Sequence, residues 1–297
     1  MRGRCPKAMA AGRLVICPTP LGNLGDISLR VLEALGQADT VCAEDTRVTA
    51  RLLAAHQIRA RLERLDEERI SSQAQDVVKR VLAGEVIAYC SDAGMPGVSD
   101  PGARLVQTAW EQGAKVEVLP GASAGITAYV ASGFVCPRYY FGGFFPRKAG
   151  ERKNVLEALK GLDAVLLFYE SPHRLVAALE AIATAMPERI VAVCRELTKL
   201  HEEVLRAPVG EALALFSERA RQAPLKGEIV LVVDAPSSAE QSASVAGAVQ
   251  KAKERARGLK EEEGLSHKDK VKLLQAEYGI TRNAAYDLIL ATEEEGH

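Results

Sequence analysis

No run of about 18 apolar residues occurs anywhere in this chain of 297 residues, and no apolar segment of signal-peptide length follows Arg2, Arg4 and Lys7. A helical membrane span and a secretory leader are therefore not expected. The chain also lacks an excess of either charge, with 38 Lys and Arg against 39 Asp and Glu. No global field draws it to nucleic acid, so any such surface has to be a local patch. Its six cysteines include no CxxC pair and no histidine at ligand spacing, and no metal is expected. Cys17, Cys42, Cys90 and Cys194 each sit in an apolar, strand-like run, where a free thiol behaves as a small buried hydrophobe. That usage points to a reducing compartment, and a cytoplasmic location is expected. Phosphate-binding signatures are missing too. The first loop, Pro18 to Asp26, lacks the G-x-G-x-x-G spacing, and no G-x-x-x-x-G-K-[ST] occurs, which disfavours a dinucleotide or a P-loop nucleotide.

What the chain does have is a soluble, globular composition, 47% hydrophobic and 26% charged, at a length that suits about two domains. Leu14 to Cys17, Thr40 to Ala43, Val86 to Cys90 and Val116 to Leu119 are β-prone. Ser28 to Leu35 and Ala103 to Trp110 carry helical spacing, with Gly36 and Gly113 as stops. The alternation predicts a mostly parallel sheet whose loops share one carboxyl edge, where ligands bind in open α/β sheets. Pro120 to Gly125 reads as a hinge. Beyond it, Tyr139 to Phe145, Ala164 to Tyr169, Ile190 to Cys194, Glu203 to Arg206 and Ile229 to Val233 predict a second α/β domain with some antiparallel pairing.

The expected organisation is a flexible tail over 1–12, α/β domains over 13–120 and 121–234, and a linker over 235–250. A helical, helix-turn-helix-like extension follows over 251–297. In that extension Ser266 with Asp269 forms a capping box, Gly279 a stop and Thr281 a second cap. The helical pair reads equally as a packing hairpin or a nucleic-acid reader. Lys251, Lys253, Arg255, Arg257 and Lys260 are offset by Glu254 and Glu261 to Glu263.

The densest loop, Asp92 to Gly102, reads Asp-Ala-Gly-Met-Pro-Gly-Val-Ser-Asp-Pro-Gly. Glycine and proline make it rigid and poor in side chains, either a ligand cradle resting on backbone groups or a plain connection. Together with Thr19 to Asp26, Ala43 to Arg47, Leu119 to Ser123 and Tyr169 to Arg174, it resembles the tetrapyrrole methylase superfamily. With Phe145 to Lys148 and Arg195 to Glu203 added, the pattern resembles more closely the ribosomal small-subunit methyltransferase I family, which 2′-O-methylates a cytidine of 16S rRNA. The resemblance covers roughly residues 13 to 234, and the helical extension also resembles that family's.

The resemblance implies S-adenosylmethionine in a cleft between two α/β domains, a homodimer, and 16S rRNA, within the 30S subunit, as partner. It carries the cofactor role onto Pro20, Asp92, Met95, Val98, Ser123, Ala124 and Tyr169, with Glu228 closing the far side. A phosphate-free cofactor needs no Lys or Arg in its cradle, and Asp92 suits its cationic or ribose end. In-line transfer to a ribose hydroxyl draws much of its rate from alignment. Glu44, Asp45, Glu170 and His173 are the candidate bases, each with a structural alternative: Glu44 or Asp45 pairing with Arg47, or His173 capping a helix. Arg47, Arg147, Lys148, Arg174, Arg195 and Lys199 are candidates for RNA phosphates. Phe141, Phe144 and Phe145 read either as a stacking face or as core. Two rival readings are a tetrapyrrole or corrin precursor C-methylase and a non-enzymatic nucleic-acid-binding regulator.

Overall fold

The computed structural model describes residues 12–260 and 265–294. The tail expected over 1–12 lies, Gly12 apart, outside the described residues, as do Glu261 to Glu263. In chain order, β1 (Arg13–Ile16), α1 (Leu29–Gln37), β2 (Thr40–Ala43), α2 (Thr46–Ala55), β3 (Leu62–Arg64), α3 (Glu67–Leu82), β4 (Val86–Cys90), α4 (Ala103–Glu111) and β5 (Val116–Val118) form the first half. Its five strands lie in the order β3-β2-β4-β1-β5, and every pairing is parallel. A parallel sheet needs both faces covered, which is why its strands are near-continuously apolar. Leu14, Ile16, Ile87 and Tyr89 pack on Ile70, Val78 and Leu105 on one face. Val15, Val41, Ala88 and Cys90 pack on Val31, Leu35 and Leu53 on the other. Gly36 does not stop α1, which runs through it to Gln37 before Ala38 donates back to Ala34.

The second half contains α5 (Ala124–Ser132), β6 (Tyr139–Phe144), α6 (Ala149–Leu159), β7 (Val165–Glu170), α7 (Leu175–Ala185), β8 (Ile190–Arg195), β9 (Glu203–Pro208), α8 (Val209–Gln222) and β10 (Ile229–Val233). Its sheet has the order β6-β7-β10-β8-β9. Only β6 and β7 run parallel, the other pairings being antiparallel. Cys17, Cys42, Cys90 and Cys194 are buried and free, and burial pushes the Cys17, Cys42 and Cys194 thiols up to about 12. No helix of the described residues is long and apolar enough to cross a membrane.

The expected linker over 235–250 is a correction. Helix α9 (Ser238–Lys260) runs through it, followed by α10 (His267–Tyr278) and α11 (Arg282–Glu294). Serine-rich composition concealed a capping box at Ser237 and Glu240. Glu240 N–H donates to Ser237 Oγ at 3.2 Å, and Ser237 N–H donates back to Glu240 Oε2 at 2.9 Å. The last three helices share their own core of Ala252, Ala256, Leu259, Leu274, Ala285 and Ile289. Ser266 caps α10, Gly279 ends it in the left-handed region, and Thr281 Oγ1 accepts from Ala284 N–H at 3.3 Å.

Candidate functional site

At the carboxyl edge of the first sheet, the loops leaving β1, β2 and β4 are laced together through their backbones. Thr19 and Gly94 exchange two N–H···O bonds of 2.9 Å. Asp45 N–H donates to Asp92 Oδ1 at 3.1 Å, while Asp92 N–H donates to Glu44 Oε2 at 3.2 Å. Gly102 has φ +126°, and a Cβ there would stand 2.9 Å from the buried Tyr89 ring. Only glycine lets the chain turn into α4 there. The Asp92 to Gly102 loop is thus one fixed wall rather than a loose connection.

The second sheet supplies the facing wall. A pocket of about 330 Å³ opens between the two, with Leu21, Met95, Val98 and Asp100 on one side. Tyr169, Leu197, Glu228, Ile229 and Val230 lie on the other, and Ser123 and Ala124 form its end. Ser123 precedes α5 without a side-chain cap, so first-turn N–H groups lack that partner. The Tyr169 hydroxyl faces the Gly125 N–H.

The pocket's electrostatics are acidic. Burial pushes the Asp100 carboxyl up to about 6, and the nearby charges of Glu44, Asp92 and Glu228 add to it. Burial likewise raises Glu44 and Asp92. The cations beside it are already engaged: Lys199 bonds Glu196 at 3.0 Å and Glu228 at 3.1 Å, and Arg174 bonds Glu170 at 2.7 Å. Among the described residues no group of His, Cys, Asp and Glu is arranged to hold a metal. Such a cavity suits a cationic, phosphate-free small molecule.

The positions reached by sequence reasoning divide clearly. Met95, Val98, Ser123, Ala124, Tyr169 and Glu228 line the pocket. Pro20 and Asp92 do not; their neighbours Leu21 and Ala93 do, and Asp92 instead braces the loop that begins α2. Among the candidate bases, Asp45 caps α2 and is chelated by Arg47, with contacts of 3.0 and 2.5 Å. Those hydrogen bonds hold its carboxyl well below the usual range. Glu170 lines the pocket but is buried in an ion pair with Arg174, whose Nε lies at 2.7 Å. His173 is exposed in a single turn of 3₁₀ helix, Pro172–Arg174, and caps nothing.

The candidate phosphate ligands divide too. Arg174 also donates to the Phe145 carbonyl at 3.2 Å, and Arg195 is held by Glu203 at 2.9 Å. Lys148 pairs with Glu151 at 3.2 Å on the surface. Arg147 is exposed, and its side chain has no ion pair or hydrogen bond among the described residues. The sequence reading did not single out Asp100 or Leu197. Asp100 had a legible signal, a carboxylate framed by proline and glycine inside the cradle. Leu197 had none, because it enters the pocket through left-handed backbone at Glu196 and Thr198, with φ +52° and +66°.

Comparison with known proteins agrees with this architecture. Residues 13–213 match the family described as Tetrapyrrole (Corrin/Porphyrin) Methylases. The ribosomal RNA small subunit methyltransferase I of Escherichia coli O157:H7 is 43% identical over 77% of this chain and 80% of its own. Its namesake from Halalkalibacterium halodurans is 41% identical over 75% of this chain and 76% of its own. A crystal structure of diphthine synthase superposes with a TM-score of 0.58 at 17% identity, covering 75% of this chain and 90% of that one. Two five-stranded sheets in this arrangement, the family match and relatives above 40% identity converge, and the chain belongs to the ribosomal RNA small subunit methyltransferase I family of tetrapyrrole methylases.

Proposed function

We propose that this enzyme uses S-adenosylmethionine to methylate the ribose 2′-hydroxyl of a cytidine in 16S rRNA, within the 30S subunit, and that it acts as a homodimer. The observation that carries the reading is an acidic, phosphate-loop-free pocket in a chain whose relatives are named for small-subunit rRNA methylation. The residues present fit this cofactor. Asp100 and Glu228 would meet its cationic groups, the first turn of α5 would offer N–H donors to its carboxylate, and Val98, Leu197 and Ile229 would wall the nucleoside. When bound, S-adenosylmethionine would supply a methyl group activated on sulfonium.

The chain's own contribution is largely positional. The laced loops and apolar walls fix the approach, the kind of alignment that contributes several kcal/mol to a barrier. Asp45 and Glu170 are held by arginines, and neither Glu44 nor His173 lines the pocket. Alignment, rather than a dedicated strong base, is the source of rate in this reading. For the homodimer, support comes from apolar side chains left in solvent on and after α5, with Val130 71% and Val135 95% exposed.

The test is to incubate unmodified small subunits with the protein and labelled cofactor, then map ribose methylation by primer extension at low nucleotide concentration. A stop at one cytidine of 16S rRNA is expected. Transfer to a porphyrinogen with none to rRNA would favour a corrin-type methylase, and absence of cofactor binding in calorimetry would favour the non-enzymatic regulator.

A further inference from the structure

The segment Phe141-Gly142-Gly143-Phe144-Phe145 breaks the alternation of its strand. β6 pairs in register with β7 through Phe141 and Leu167, then shifts so that Phe144 sits opposite Tyr169. Gly143, at φ +65°, takes up the extra residue, and a Cβ there would lie 2.9 Å from Ser99 Oγ. Bulges of this kind re-aim side chains beside active sites. Here the consequence falls on one ring. Phe145 is buried against Phe168 at 4.8 Å, and Phe141 is half-buried against Tyr169 at 5.0 Å. Phe144 is 62% exposed and meets Tyr169 edge-on at 5.6 Å. One aromatic of the run is thus left with an open face.

That ring stands between two hollows. It lines the methyl-donor pocket, and it lines a second cavity of about 480 Å³ formed with Pro146, Arg147, Ser171 and Arg174. Phe144 and Ser171 belong to both. The guanidinium of Arg174 is neutralised by Glu170, whereas that of Arg147 faces solvent without an ion pair among the described residues. An open aromatic face with one unbalanced cation beside it, adjoining a methyl-donor site, has the chemistry of a nucleotide subsite.

Resting on the functional reading above, we propose that this second cavity receives the target nucleotide of the RNA, unstacked from its neighbours. Its base stacks on Phe144, and an adjoining phosphate engages Arg147. A walled pocket admits a ribose hydroxyl most readily from an unpaired, splayed-out nucleotide, and sequence-tolerant aromatic stacking is the usual compensation. The bulge at Gly143 exists, on this view, to turn the ring toward that base.

The experiment compares wild type with Phe144→Ala, Phe144→Tyr and Arg147→Ala. It measures S-adenosylmethionine affinity by calorimetry, steady-state methyl transfer to small subunits, and the emission of a fluorescent pyrimidine placed at the methylated position. Phe144→Ala should lower kcat/KM for RNA roughly 10- to 100-fold and abolish the emission change, a loss well beyond whatever cofactor affinity it gives up as a shared wall of the donor pocket. Phe144→Tyr should restore transfer to within about threefold of wild type, because a phenol stacks as well. Arg147→Ala should raise KM and flatten its salt dependence. The proposal is overturned if Phe144→Ala transfers methyl normally. It is equally overturned if cofactor affinity falls as far as transfer does, which would make the ring a wall of the donor pocket. Wild-type protein that labels no rRNA would instead sink the functional reading itself, and the nucleotide subsite with it.

Discussion

Lys199 lies across Gly22. A Cβ on that glycine would come within 2.3 Å of Lys199 Cγ, and the ammonium beyond is held by Glu196 and Glu228 at 3.0 and 3.1 Å. The loop leaving β1 is in this way clasped to the loop leaving β8 and to the approach to β10. The clasp forms one rim of the pocket, and it needs a bare backbone at position 22.

Gly22→Ala should therefore displace the Lys199 stem and unfasten the rim without unfolding either sheet. Cofactor affinity is expected to fall about tenfold in calorimetry, while urea unfolding shifts by less than about 1 kcal/mol, as for other surface substitutions. Unchanged affinity would mean that the rim does not shape the pocket.

Asp100 gives the protein a distinctive acid-range behaviour. Its carboxyl is raised by burial from 3.8 to about 6, so between those values the folded chain binds more protons than the unfolded one. Its contribution to stability therefore declines as pH rises from about 4 to about 6. A cationic cofactor prefers the ionised form, so binding near pH 5.5 should release a proton. Calorimetry in buffers of different ionisation enthalpy reads that release, and Asp100→Asn should abolish it while weakening affinity.

Arg189 is 2% exposed, and its guanidinium meets Glu240 at 2.7 Å, the Asp234 carbonyl at 2.6 Å and the Lys160 carbonyl at 2.7 Å. Its removal strands buried acceptors together with a carboxylate. Arg189→Ala should cost about 3–5 kcal/mol in denaturant unfolding, and Arg189→Lys should recover only a fraction of that, since an ammonium cannot reproduce the planar fork.

Arg47 and Asp45 form an exposed chelate at the start of α2. Arg47→Ala is expected to leave the thermal midpoint unchanged. If this guanidinium neutralises one RNA phosphate, the slope of log KM against log salt should fall by about 0.7 to 0.9. An unaltered slope would remove Arg47 from the RNA surface.

The strands were legible because their residues are buried on both faces, and Thr40–Ala43, Val86–Cys90 and Ile229–Val233 emerge with the bounds read from the sequence. β3 (Leu62–Arg64) was not, being a short edge strand with charged Glu63 and Arg64 and no apolar run. Most of the pocket-lining positions follow from loop motifs, whereas the cations do not sort themselves. Arg174, Arg195 and Lys199 look as free in sequence as Arg147, and only folding brings Glu170, Glu203 and Glu196 against them. Likewise the Ser237 to Glu240 pattern was hidden by its serine-rich surroundings, and the partner that anchors it, Arg189, is 51 residues away.

That anchor has a consequence for how the molecule can be divided. Glu240 Oε2 starts the long helix α9 while Oε1 compensates a guanidinium sealed inside the second sheet's domain. A cut placed where β10 ends would split a single electrostatic unit, leaving a buried cation in one fragment and its counterion in the other. A protease nick between Asp234 and Ser237 should leave the two pieces travelling together, whereas a gene shortened at the same point should yield a core that has lost some of its own interior.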